Sequence, residues 1–161
     1  MSDEDLGFMP AFEAARLIRA KEISPVELTD AVLRRAEIVQ NTCNAFITIS
    51  DEVARAEARR AEESVMAGDD LGPLHGVPFT VKDLVNTAGV RTTFGSHAFA
   101  DNVPKSDSIG VARLRDAGAV LIGKTTTPEF GHKPMTEAPL FGRTLNPWDL
   151  TRTSGGSSGG A

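Results

Sequence analysis

"SDSIGVARLRDAGAVLIGKT", residues 106–125, decides what kind of fold this chain takes. Residues 106–118 predict a capped helix that stops at Gly118, a residue suited to the left-handed conformation in which helices commonly end. The "AVLIG" that follows is short, continuous and apolar, which is the pattern of a buried strand. A helix that passes directly into a buried strand is the grammar of an α/β layer. The same stretch carries a competing pattern, since "GAVLIGKT" from Gly118 to Thr125 satisfies the phosphate-loop spacing of Gly, four residues, Gly-Lys-Thr. A phosphate loop needs its strand before the first glycine and a helix starting at the Lys-Thr end. Here the intervening residues are themselves the strand, and "TTTP" with Pro128 argues against a helix. Nucleotide binding is therefore set aside.

Upstream, the elements alternate in the same style. "PAFEAARLIRAKE" begins at Pro10 and predicts a helix ending near Ile23, with Phe12, Ala15, Leu17 and Ile18 on its apolar stripe. In "SPVELTDAVLRRAEIVQ", Ser24 is a good N-cap, Pro25 suits the first helical position and Glu27 completes a capping box. "NAFITI", residues 44–49, is aromatic and β-branched and reads as a strand. "DEVARAEARRAEESVMAG" predicts a further helix, with Ala54, Ala58, Ala61 and Val65 at helical spacing and Gly68 as its stop. Gly72, Pro73, Gly76 and Pro78 then punctuate a turn, after which "VPFTVKD" reads as extended. From Lys124 to Ala161 the chain is rich in Pro, Gly and Thr with little periodicity, and long loops of that kind often carry function.

Composition excludes several classes. With 17 basic against 22 acidic residues and a net charge of −5, the chain lacks the basic stripe of a nucleic-acid binder. Cys43 stands alone, so neither an internal disulfide nor a cysteine zinc site is available, which fits a reducing compartment. The acidic "MSDEDLGFMP" is unlike a signal peptide, and no apolar run approaches the roughly 20 residues of a membrane span. A cytoplasmic protein is expected.

Two features could carry chemistry. Lys82 alternates away from Val77, Phe79 and Val81 on the extended segment, so it is either a surface lysine paired with Asp83 or a partly buried amine. Burial would lower its pKa toward the range in which an amine serves as a general base, and such a base needs a partner hydroxyl. The terminal "GGSSGG" offers Ser157 and Ser158 among four glycines. Read alone it is a flexible linker, yet the missing side chains also let backbone approach a ligand closely. His75, His97 and His132 lack zinc spacing and form no Ser-His-Asp pattern, and Cys43 has the flanks of a structural residue.

Taken together and in order, "GPLHGVPFTVKD", "GAVLIGKTTTPEF" and "FGRTLNPWDLTRTSGGSSGG" resemble the amidase signature family of serine hydrolases, as does the helical opening "AARLIRAKEISPVELTDAVLRRAE". The resemblance implies an α/β fold, a mixed β-sheet covered by helices, of which residues 1–161 form the N-terminal part. Residues 1–70 are then a mostly helical lead-in and residues 71–161 the first part of the catalytic core. It implies that Lys82 is the general base and Ser157 the proton relay of a Ser–cisSer–Lys triad, with a cis peptide bond between Gly156 and Ser157. Gly131, in "PEFGHKP", falls where the family lines its acyl pocket, and Gly156 and Ser158 flank the relay as further substrate-binding positions.

The implied reaction is hydrolysis of a small-molecule amide through an acyl-enzyme, with no metal or organic cofactor. The family's nucleophile belongs to a later Gly-Gly-Ser-type segment, so these residues alone are expected to be inactive. The glutaminase-type subunit of a tRNA-dependent amidotransferase and a non-catalytic binding module on the same fold are the alternatives. Direct nucleic-acid or membrane contact is not expected, and a homo-oligomer is open.

Overall fold

The computed structural model describes residues 1–161. In chain order its helices are α1 (Asp3–Gly7), α2 (Ala11–Arg19), α3 (Pro25–Cys43), α4 (Asp51–Ala67) and α5 (Ile109–Asp116). Its strands are β1 (Phe46–Ile49), β2 (Pro78–Lys82), β3 (Val120–Thr125), β4 (Glu137–Ala138), β5 (Gly142–Arg143), β6 (Leu145–Asn146) and β7 (Asp149–Thr153). No helix is long and apolar enough to cross a membrane.

The caps explain the helix boundaries. Ser24 Oγ accepts from Val26 N at 2.9 Å and Glu27 N at 3.3 Å, while Glu27 reaches back to Ser24 N at 3.4 Å, the expected capping box. Helix α2 ends at Arg19, short of the expected Ile23, because Lys21 turns into the left-handed region at φ 60° and leaves Ile23 to be buried from a loop. Helix α3 runs on to Cys43 and stops only where Asn44 adopts φ 54°, a conformation that asparagine tolerates better than most residues. Gly68 ends α4 as a left-handed cap at φ 79°.

The chain divides into two compact units. The first comprises residues 1–35, 50–79 and 112–122. Leu6, Ala14, Leu17, Ile18, Ile23, Leu28, Ala31, Val65 and Val77 form its core. The alanines of α4 are buried as their spacing requires, Ala54 and Ala58 completely. In the second, residues 36–49, 80–111 and 123–161, the interior is different in kind. Thr87, Thr92, Thr93, Thr125, Thr126, Thr127, Thr136 and Thr144 are all buried there. Buried hydroxyls must find partners; Thr126 Oγ1 and Thr144 Oγ1 meet at 2.7 Å, and Thr144 Oγ1 also donates to Asn44 O at 2.8 Å.

The principal sheet has the order β1-β3-β2. Strand β1 is antiparallel to β3, with Phe46 opposite Thr125 and Ile49 opposite Gly123. Val120 N donates to Val77 O at 2.9 Å and Asp83 N to Thr125 O at 3.0 Å, so β2 and β3 run in the same direction and the sheet is mixed. Every residue of β3 is buried, as befits a central strand. Its "GKT" is strand rather than loop, which disposes of the phosphate-loop pattern. The hairpins β4-β5 and β6-β7 occupy the region that the sequence left without periodicity.

Gly123 faces the backbone of β1, where an added Cβ would stand 2.2 Å from Thr48 O. Gly123→Ala is expected to destabilise the protein by about 1–3 kcal/mol through overpacking. Gly110→Ala, in the first turn of α5 with no atom within 4 Å of the added carbon, is expected to be neutral or to stabilise by up to about 1 kcal/mol. Thermal denaturation of the two variants side by side checks both signs.

Candidate active site

Lys82 is the last residue of β2, and strand alternation sends it to the face opposite the buried Val81. Its Nζ donates to Ser157 Oγ at 3.1 Å, a contact between residues 75 positions apart. Desolvation by burial holds the Lys82 amine below the ordinary lysine value of 10.5. The surface pairing with Asp83 does not form. Asp83 is fully buried on the other side of the strand, where both carboxylate oxygens accept from Thr93 N at 3.1 and 3.0 Å and Oδ2 accepts from Thr93 Oγ1 at 2.5 Å. Burial pushes the Asp83 carboxyl up, and the hydrogen bonds from Thr93 oppose that shift.

The segment that carries Ser157 is seated, not trailing. Thr136 Oγ1 donates to Gly155 O at 2.8 Å, Ser154 N donates to Thr144 O at 3.0 Å, and Gly160 N reaches Thr126 O at 3.4 Å. The glycines are required by these neighbours. A Cβ on Gly160 would fall 1.8 Å from Ala45 O, one on Gly159 2.5 Å from Thr126 O, and one on Gly156 2.9 Å from the Pro134 carbonyl carbon. The Gly156–Ser157 peptide bond is cis. The linker reading of this stretch is thereby replaced by that of a packed loop. Ser157 is partly buried, whereas Ser158 and Gly156 are exposed.

The structure brings Lys82, Gly156 and Ser157 to one place and puts Gly131 in another turn. Gly131 has φ 71° and lies against Leu84, whose Cδ1 would be 2.7 Å from an added Cβ. His75 Nε2 lies 2.9 Å from Ala61 O and His132 Nδ1 2.5 Å from Glu129 O, and Cys43 is buried. Sequence reasoning missed Lys124. It is fully buried, and its Nζ is bonded to Val85 O, Thr87 Oγ1 and Thr92 Oγ1. The signal was present as a lysine within an apolar strand, but it drew notice only as part of a phosphate-loop pattern.

A partly desolvated amine in hydrogen-bond contact with a serine hydroxyl is a proton-transfer pair: when neutral, the amine can accept the hydroxyl proton. The comparisons with known proteins say which family carries this fold and pair. The Amidase family model matches residues 27–161. The chain belongs to the amidase signature family. It is 41% identical to an acylamidase of Rhodococcus erythropolis, over 98% of this chain and 33% of that protein. It is 43% identical to a glutamyl-tRNA(Gln) amidotransferase subunit of Carboxydothermus hydrogenoformans, over 98% of this chain and 32% of that protein. The solved structure of a bacterial aryl acylamidase of the amidase signature family superposes with a TM-score of 0.90 at 32% identity, covering 96% of this chain and 32% of that one. The chain thus spans about a third of the length of the curated relatives it matches.

Thr136 tests how the serine segment is held. Thr136→Val keeps the shape but leaves the Gly155 carbonyl without its donor, with an expected cost of about 1 kcal/mol. Backbone amides of residues 155–160 should then exchange faster with solvent while those of α4 remain unchanged, as read by hydrogen-exchange mass spectrometry.

Proposed function

We propose that these residues supply the base and the proton relay of an amide hydrolase. The observation that carries this reading is the hydrogen bond from Lys82 to Ser157, formed by a desolvated amine at the family's motif positions. In this reading neutral Lys82 draws a proton from Ser157, and Ser157 in turn draws one from a nucleophilic serine outside residues 1–161. That serine attacks the amide carbonyl to form the acyl-enzyme. The proton returns along the same path to the leaving amine, and water then releases the acid. Donors aimed at the developing oxyanion would contribute about 3–4 kcal/mol each. Residues 1–161 are read as the first part of a single catalytic domain, inactive without the nucleophile. Gly131, Gly156 and Ser158 are the proposed substrate-side positions, and the substrate is a small-molecule amide.

The likeness to glutamyl-tRNA(Gln) amidotransferase subunits, at 43–45% identity in two of the matches, favours a second reading, in which the amide is glutamine and ammonia passes to a partner protein. Hydrolysis of aryl or alkyl amides by the intact protein alone supports the first reading. Glutamine hydrolysis that rises on adding partner proteins of such a complex supports the second.

Lys82→Met and Ser157→Ala in the intact protein are each expected to lower kcat/KM for the amide by about 10²- to 10⁴-fold, the range of a lost acid–base group. Unimpaired turnover in either variant overturns the reading.

The pH dependence has a definite sign. The active form holds Lys82 neutral, so kcat/KM should rise with pH through the Lys82 pKa and fall as that amine is protonated. Burial lowers this pKa, so half-maximal activity should come below pH 10.5. A pH–rate profile that loses this acid limb in Lys82→Met is the expected result.

A further inference from the structure

Lys124 is a buried cation that the proposed proton transfer does not use. Its position in β3 follows the apolar run "VLIG", every residue of the strand is buried, and the lysine side chain is fully enclosed. Nζ donates to Val85 O at 2.5 Å, to Thr87 Oγ1 at 2.9 Å and to Thr92 Oγ1 at 2.9 Å. An ammonium has three donors and no acceptor, so these three contacts use its whole capacity.

The hydroxyl protons are committed elsewhere. Thr87 Oγ1 donates to Val85 O at 3.2 Å and Thr92 Oγ1 to Val90 O at 3.1 Å, which leaves both hydroxyls presenting only lone pairs to Nζ. A neutral amine would lack the third proton and would point its own lone pair at an acceptor. The site is therefore built for the charged form. Asp83 and Asp107 are the charges that face it and hold its pKa up against burial, which lowers it to about 8, so it is protonated at neutral pH.

What this cation grips is the chain that leaves the active-site strand. Val85 N donates to Lys82 O at 3.0 Å, and Val85 O accepts from Lys124, so one residue links the ammonium to the Lys82 backbone. Asp83 N donates to Thr125 O at 3.0 Å, adjacent to Lys124 on β3, and Phe94 N closes on Asp83 O at 3.0 Å. Methionine would fill the same volume without the desolvation cost of a charge, so the distinctive contribution of the ammonium is directional.

The geometry points to Lys124 as a positioning residue for Lys82: its protonated ammonium pins Val85, Thr87 and Thr92 beneath the end of β2, and thereby holds the Lys82 amine on Ser157 and away from water. This inference rests on the reading of Lys82 as the base. Lys124 touches neither Ser157 nor the reacting atoms, so its action is through Lys82.

The test uses the intact protein with lysine labelled at 13Cε, the Lys82 signal being assigned by its loss in Lys82→Met. Lys124→Met should raise the Lys82 titration midpoint toward the ordinary value, by about one pH unit, as water gains access to the amine. Thr92→Val, which keeps the charge and removes one acceptor, should move the midpoint in the same direction by less, and it serves alone if Lys124→Met does not fold. For an amide substrate, kcat should fall by about 10- to 100-fold with KM within about threefold, the pattern of a misplaced base. A lower melting temperature with an unmoved Lys82 midpoint is the signature of a merely structural lysine and overturns the inference. The midpoint decides the role of Lys124 even if the wild-type protein hydrolyses no amide, a result that would instead refute the proposed function.

Discussion

The hydrogen bond between Lys82 and Ser157 is the constraint around which the second unit is arranged. It joins the end of a strand to a loop 75 residues later, and neither partner could reach the other without separate scaffolding. On the lysine side, β2 is fixed by parallel pairing with β3, and strand alternation separates Lys82 from its neighbour Asp83. On the serine side, Ala45 and Thr126 meet the loop glycines through backbone contacts too close for any side chain, while the Thr136 hydroxyl and the Thr144 carbonyl hydrogen-bond its backbone. The acidic neighbour is turned away and bonded to Thr93, which leaves the amine without an adjacent counter-ion and desolvation as the cause of its lowered pKa. That is the electrostatic condition under which a lysine becomes a usable base.

The supporting interior is polar by the nature of its sequence. In the first unit, leucines, isoleucines and small alanines make an ordinary apolar core. In the second, buried threonines interlock through hydroxyl and carbonyl groups, and Lys124 is the cation within that network. Threonine couples a β-branched packing surface to a directional bond, so such an interior fixes orientation as well as volume. A proton-transfer pair needs that directionality, because hydrogen-bond reach and angle decide whether transfer occurs.

Much of this was legible in the residues, for reasons that can be named. Ser24, Pro25 and Glu27 marked the start of α3 through local capping chemistry, and Gly68 marked the end of α4. "AVLIG" declared a buried strand by its apolar continuity. The hairpins β4-β5 and β6-β7 were not legible, since strands as short as Glu137–Ala138 hold no periodicity. Asp83 beside Lys82 suggested an ion pair because sequence adjacency ignores that a strand sends neighbours to opposite faces. Lys124 was overlooked because the threonines that satisfy it, Thr87 and Thr92, lie more than thirty positions away and look like loop residues. Local signals were readable, and long-range satisfaction of polar groups was not.

The contact of Gly160 with Ala45 O reaches beyond this chain to how such sequences are handled. A terminal Gly/Ser tract invites removal as a spacer, or replacement by any other spacer of equal length. Here its composition is the imprint of a neighbouring backbone, in the way that a keyway is shaped by its key. Low complexity in this place records tight fit, and trimming by composition would discard the hydroxyl to which Lys82 is hydrogen-bonded.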